Sequence, residues 1–200
     1  NNKTYEEFQE LAGERKLTIA TAALFMPHYV RVRDAAAGKT ILYDGNNKPI
    51  LIEEANTIWN YLSTEAWIYL NGRFVKGSGF GGLDLVVEEH LTKKTGRVTE
   101  NITRETSDPL QRHTNLNEGF VDLTFNKQGF PTKKSKLSQY ERGKNLYFYK
   151  PFEDAVARFG AGAGGAVLLL CDRSPAISNS RLGVLFCAEG TQKNLRRRSK

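Results

Sequence analysis

The sequence predicts an α+β protein in which a mainly antiparallel sheet carries two or three short helices. Short apolar runs of strand length outnumber the amphipathic stretches, and the two kinds do not alternate in the regular βαβ order of a parallel sheet. The chain has 200 residues, of which 40% are hydrophobic and 26% charged, and this is enough for one well-cored domain. We therefore expect a single domain over residues 1–190, followed by a basic C-terminal tail over residues 191–200.

Three segments carry the apolar spacing of a helix. The first begins at Thr4, whose spacing from Glu7 matches a capping box, and it ends at Gly13. The second, residues 53–62, places apolar side chains at positions i, i+3, i+4 and i+7 and opens with acidic residues, which suit a helix N-terminus. The third, residues 152–159, lies between a proline and a glycine.

Strand-like runs fill much of the first half of the chain between these helices. Residues 17–32 are apolar and β-branched, with Pro27 as a break, and residues 41–52 form two short runs around a turn-rich centre, which indicates a hairpin. Residues 67–76 contain Asn71-Gly72, the dipeptide that best tolerates the positive φ of a two-residue turn. We therefore expect a second hairpin there.

Further strands are expected at residues 83–91, 121–125, 145–150, 166–171 and 182–188. The last two runs are apolar on both faces, so we expect both at the centre of the sheet. The polar, weakly patterned residues 92–118 are expected to form a long excursion from the core.

Charge is distributed unevenly along the chain. Residues 1–120 carry 14 Lys+Arg and 16 Asp+Glu, a net of −2, whereas residues 121–200 carry 15 and 6, a net of +9, which together make the total of +7. Like charges gathered in one part of a chain repel each other, so such a region is usually balanced by a polyanion, a membrane surface or an acidic partner.

Two basic segments predict contact with nucleic acid. In the first, lysines and an arginine precede a strand that contains Tyr147, Phe148 and Tyr149; the second is the arginine-rich tail. Cations that contact phosphate and aromatic faces that stack on bases are the two ingredients of single-strand recognition. Because side chains alternate along a strand, Tyr147 and Tyr149 are expected on one face and Phe148 on the other. The candidate contacts are Lys133, Lys134, Lys136, Arg142, Lys144, Tyr147, Arg196, Arg197 and Arg198.

These patterns predict a non-catalytic nucleic-acid-binding protein, such as a coat, nucleocapsid or ribonucleoprotein component, with RNA or DNA as its partner. No catalytic residue, metal site or cofactor is assigned, and a homo-oligomer or a larger assembly is consistent with such a role. The longest apolar runs fall far short of the ~20 residues of a membrane-spanning helix, so no membrane partner is expected. The opening residues lack the apolar core of a secretory signal, which favours an intracellular or virion-associated location.

Two alternatives compete with this interpretation. Asp84 and Glu88 fall on one face of a candidate strand, and carboxylates gathered there could hold Mg²⁺ for phosphodiester cleavage by a metal-dependent nuclease. The other alternative is a protein that assembles on an acidic protein partner through the same basic segments.

Overall fold

The protein is described by a computed structural model. It describes residues 2–15, 17–76, 85–95, 98–110, 114, 117–162, 165–178 and 180–187, with the backbone alone for residues 85–109 and 187. The predicted tail at residues 191–200 lies outside this part of the chain.

Three helices and a mixed sheet make up the described fold, which confirms the predicted α+β class. The helices are α1 (Tyr5–Arg15), α2 (Ala22–Ala36) and α3 (Ile52–Thr64). The strands are β1 (Thr18–Ile19), β2 (Trp67–Lys76), β3 (Leu85–Thr95), β4 (Val98–Pro109), β5 (Gly119–Asp122), β6 (Asn145–Tyr149), β7 (Val156–Ala161), β8 (Val167–Arg173), β9 (Gly183–Val184) and β10 (Phe186–Cys187).

The main sheet has the strand order β4-β3-β2-β7-β8-β6-β5, and β9 pairs with β2 beside this path. Most neighbouring strands in the described residues are antiparallel, but β6 runs parallel to β8 and β9 runs parallel to β2. The sheet is therefore mixed: it is mainly antiparallel, as predicted, but not purely so. β1 and β10 form a separate antiparallel pair.

The two faces of the sheet are covered differently. On the inner face, Phe148, Leu169 and Phe159 lie side by side in register and pack beneath α2 and α3. On the outer face, α1 packs Tyr5 and Phe8 against the ring of Tyr69, each at 5.7 Å between ring centroids. This second cluster includes residues of α1, β1, β2 and β7 but none of β5 or β6.

The expected strand at residues 17–32 was wrong over most of its length, because residues 22–36 form α2. Thr21 caps this helix by accepting a hydrogen bond on Oγ1 from the backbone N–H of Leu24 at 3.3 Å. The buried side chains Phe25, Met26, Tyr29 and Val32 follow helical spacing. Pro27 removes one N–H of the helix ladder, and the packing of this buried stripe outweighs that loss.

The expected turn at Asn71-Gly72 was also wrong, since β2 runs straight through both residues. A register shift against β7 between Tyr69 and Arg73 accommodates the dipeptide as a bulge. Asn71 is only 1% exposed. Its Oδ1 accepts hydrogen bonds from Tyr5 Oη at 3.3 Å and Gln9 Nε2 at 3.1 Å, and its N–H donates to Ala20 at 2.9 Å. These contacts hold it inside the sheet.

Three other expectations need correction. The expected helix at residues 152–159 is replaced by β7, because every residue of that strand is buried and its apolar run has no distinguishing period. The run at residues 182–188 supplies the short strands β9 and β10 and is not central. Residues 92–118 are not one excursion, since β3 and β4 pair in a long antiparallel ladder.

The other predicted elements agree with the structure. α1, α3, β6 and β8 lie where the sequence placed them, except that α1 continues through Gly13 to Arg15, and β8 is an internal strand of the sheet. The expected hairpin near residues 41–52 is present as a bridge between Tyr43 and Pro49. The strand expected at 121–125 begins earlier, as β5.

Gly129 provides a test of this fold. Its φ is +83°, and a Cβ at this position would overlap the backbone of Ala22 at the start of α2. We expect Gly129→Ala to lower the free energy of unfolding by at least about 2 kcal/mol, through left-handed strain and the overlap together. Gly45→Ala is the matched control, because nothing lies within 4 Å of its added Cβ. Equal stability of the two variants in urea denaturation would contradict the packing of this turn against α2.

Candidate nucleic-acid interface

Three aromatic side chains lie together on the outer face, and we call Phe120, Tyr147 and Tyr149 the aromatic row. Phe120 of β5 pairs directly with Tyr147 of β6, and Tyr149 follows two residues later on the same face. The rings of Phe120 and Tyr147 meet edge to face at 5.1 Å, and those of Tyr147 and Tyr149 lie 4.9 Å apart. All three side chains are half-buried, and no described helix packs over them.

Alternation along β6 produces this row, as the sequence predicted. Leu146 and Phe148 are fully buried in the core beneath the helices, so Tyr147 and Tyr149 must point to the opposite face. Asn145 fixes the start of the strand, because its Oδ1 accepts from the N–H of Glu141 at 2.8 Å and its Nδ2 donates to the carbonyl of Gln139 at 2.8 Å.

Charged groups contact two rings of the aromatic row. The guanidinium of Arg173 lies 5.6 Å from the centroid of Tyr149 and pairs with Asp172 at 3.4 Å. The hydroxyl of Tyr147 donates to Oε1 of Glu118 at 3.4 Å. Desolvation is the largest cause that raises the pKa of Tyr147, and the adjacent Glu118 raises it further. The phenol therefore remains a protonated donor at neutral pH.

The lysine edge, Lys133, Lys134 and Lys136, runs beside the row. Its segment extends the sheet past β5, since the N–H of Asp122 donates to the carbonyl of Lys133 at 3.1 Å and Val121 bridges Lys134. Lys133 pairs with Asp122 at 3.6 Å. Lys134 and Lys136 are exposed and form no ion pair among the residues that the structure describes. Because Lys134 lies opposite the buried Val121, alternation assigns its side chain to the inner side of the sheet, whereas Lys133, opposite Asp122, lies on the side of the row.

Arg142 lies elsewhere. Its guanidinium donates to Ser63 Oγ at 3.1 Å and 2.7 Å and to Asn60 Oδ1 at 2.6 Å, and it lies 5.5 Å from the ring centroid of Trp59. All three partners belong to α3, on the inner side of the sheet. Lys144, in the same turn, pairs with Glu141. The structure therefore does not bring Arg142 together with Tyr147, and it uses the arginine to tether a turn to α3.

The remaining candidates fall wholly or partly outside the described residues. Arg196, Arg197 and Arg198 lie there, as does Asp84, the first carboxylate of the nuclease alternative. The backbone of Glu88 lies in β3, opposite Arg73 of β2 and Glu105 of β4.

Sequence reasoning missed Phe120 and Glu118 as neighbours of Tyr147, and Arg173 as a neighbour of Tyr149. Phe120 lies just before the strand that alternation predicted at residues 121–125, so it was left outside the pattern. Arg173 reaches Tyr149 because β8 runs parallel to β6, a pairing that no local pattern specifies. The one signal in the sequence is alternation: if the strand is extended back to Phe120, its ring points to the face opposite Val121, which is buried in the structure.

The role of Arg142 can be tested directly. We expect Arg142→Ala to lower the free energy of unfolding by about 1 kcal/mol, because it removes charge-assisted hydrogen bonds and a cation–π contact that join the turn to α3. Affinity for a labelled oligonucleotide should change less than about twofold, because Arg142 is engaged with α3 and does not lie at the aromatic row. Lys144→Ala is the control, because exposed ion pairs contribute little to stability. A large loss of affinity at unchanged stability would contradict this role and would indicate that Arg142 contacts the nucleic acid.

Neither a membrane span, nor a metal site, nor a relative points to a function for the described part of the chain. None of the described helices is long and apolar enough to cross a membrane. In the same part of the chain, no three His, Cys, Asp or Glu side chains gather as a metal ion would require. The chain matches no model of a known protein family, no curated protein and no solved structure.

Proposed function

We propose that the protein binds single-stranded nucleic acid, with bases stacked on the aromatic row and phosphates along the lysine edge. The observation that carries this proposal is the row itself, in which each ring lies about 5 Å from the next on a part of the sheet that no described helix covers. In most proteins a sheet face that carries large aromatic side chains is covered by other apolar side chains. Aromatic rings that stay at the surface beside cations favour contact with a ligand.

Stacking explains why the ligand is single-stranded. Every base has a π-face, and an aromatic side chain that stacks on it contributes about 1–3 kcal/mol per base. Duplex bases already stack on their neighbours, so only unpaired bases can lie on Phe120, Tyr147 or Tyr149. RNA and DNA share these base faces, and the proposal covers both.

Electrostatic attraction supplies the rest of the affinity. Lys133 lies on the β5 side of the row, opposite Asp122, and Arg173 lies on the β8 side. Cations on both flanks suit a backbone that passes along the stacked bases. The net charge of +7 and the arginines of the tail add a long-range attraction for polyanions.

Such binding needs no catalytic group and little sequence preference, which suits a coat, nucleocapsid or ribonucleoprotein component. Incubation of the protein with a labelled oligonucleotide separates the nuclease alternative from binding alone. Shortened oligonucleotide in the presence of Mg²⁺, abolished by Asp84→Asn, would support cleavage, whereas intact oligonucleotide would support binding alone.

Replacement of both tyrosines tests the aromatic row. We expect Tyr147→Ala with Tyr149→Ala to weaken binding of a labelled oligonucleotide of about 12 nucleotides by at least about tenfold, because two stacking faces are lost. Fluorescence anisotropy measures the dissociation constant. The matched control replaces Tyr43 and Tyr61, exposed tyrosines away from the row, at 57% and 51% exposure. The proposal is wrong if both pairs of substitutions have the same effect, or if duplex binds as tightly as single strand.

The tail is tested through the salt dependence of binding. Each phosphate neutralised on a single strand adds about 0.7 to the slope of log affinity against log salt. We therefore expect joint replacement of Arg196, Arg197 and Arg198 by Ala to reduce that slope by about 2, with similar losses for all sequences. Replacement of exposed Arg31, Lys39 and Lys48 removes the same charge elsewhere and serves as the control. An equal change of slope in both variants would reduce the tail to a general charge effect.

A further inference from the structure

Resting on the proposed function, we infer that Glu118 selects among the bases that stack on the aromatic row, so that the site prefers cytosine over uracil or thymine. The carboxylate lies at the rim of the row and presents an acceptor where the edge of a stacked base would lie. It is thus a specificity-determining residue of the same site.

The position of Glu118 is given by its contact with Tyr147 and not by strand alternation. Glu118 lies before β5, and Gly119, at a φ of +134°, separates it from Phe120. Oε1 accepts a hydrogen bond from Tyr147 Oη at 3.4 Å, which places the carboxylate beside the middle ring of the row.

This carboxylate keeps acceptor capacity for a ligand. A carboxylate has two oxygens with about four lone-pair sites, and one bond from Tyr147 occupies a single site. The other acidic side chain beside Phe120, Asp122, is paired with Lys133 at 3.6 Å. Glu118 is exposed and forms no ion pair within the described ranges, so its negative charge faces the ligand uncompensated.

The chemistry of the base edges gives the direction of the preference. Cytosine presents its N4 amino group as a donor, which glutamate accepts. Thymine carries the acceptor O4 at the same position, and uracil shares that carbonyl. An acceptor brought against a carboxylate is repelled and leaves both groups unpaired, so the same residue attracts one pyrimidine and rejects the other.

Labelled cytidine and uridine homopolymers of about 12 nucleotides, and their deoxycytidine and thymidine equivalents, test the inference at neutral pH by fluorescence anisotropy. We expect the wild-type protein to bind the cytosine oligonucleotide at least about fivefold more tightly. Glu118→Gln removes the charge and allows the amide to turn either group toward the base, so the preference should fall below about twofold. Glu65→Gln, at an exposed glutamate that follows α3, is the matched control and should keep the full preference.

Tyr147→Phe separates positioning from stacking. It keeps the ring but removes the hydroxyl that orients Glu118, so affinity for the thymine oligonucleotide should hold while the cytosine preference declines. Equal wild-type affinity for the two pyrimidines, or a preference that survives Glu118→Gln, overturns this inference and leaves the proposed function intact. Failure to bind any of the four oligonucleotides overturns both.

Discussion

Burial of β7 on both of its faces is the constraint on which the rest of the architecture depends. Every residue of this strand is buried, so each face needs a separate cover. On the inner face, Phe159 contacts Phe25 and Tyr29 of α2 at 4.7 Å and 5.0 Å between ring centroids. On the outer face, Arg158 is buried, and its guanidinium donates to Tyr69 Oη at 2.8 Å and to the carbonyl of Ser174 at 2.7 Å.

The aromatic row exists because these two covers differ in extent. The inner cluster reaches from β2 across to β5 and β6, where Val121, Leu146 and Phe148 are its buried members. The outer cluster stops at β2, β7 and the short strands beside them. Since successive side chains alternate between faces, the residues between those buried members must project outward, where no described helix meets them. An ordinary core on one side thus produces a ring-bearing surface on the other.

Net charge overstates the positive surface that the described residues present. Arg158 is buried, Arg142 is engaged with α3, and Lys133 and Lys144 lie beside carboxylates. Among the described residues, the cation in contact with a ring of the row is Arg173, whose guanidinium lies 5.6 Å from the centroid of Tyr149. Contact chemistry, and not charge alone, therefore distinguishes this surface from the rest of the molecule, since cations without stacking faces bind any polyanion.

Local patterns were enough to predict the α+β class, α1, α3, β6 and β8, and the opposite orientation of Phe148 and its tyrosine neighbours. These features depend on periodicity and end signals within a dozen residues. The same reasoning failed for α2 and β7, because their apolar residues do not show the period that separates a helix from a strand. It also failed for Asn71, because buried hydrogen bonds from α1 outweigh the turn preference of this residue. The contacts of Phe120 with Tyr147 and of Arg173 with Tyr149 depend on the order β8-β6-β5. That order is set by long-range pairing, in which free energy is gained only after distant segments have packed, and no short stretch of residues encodes it.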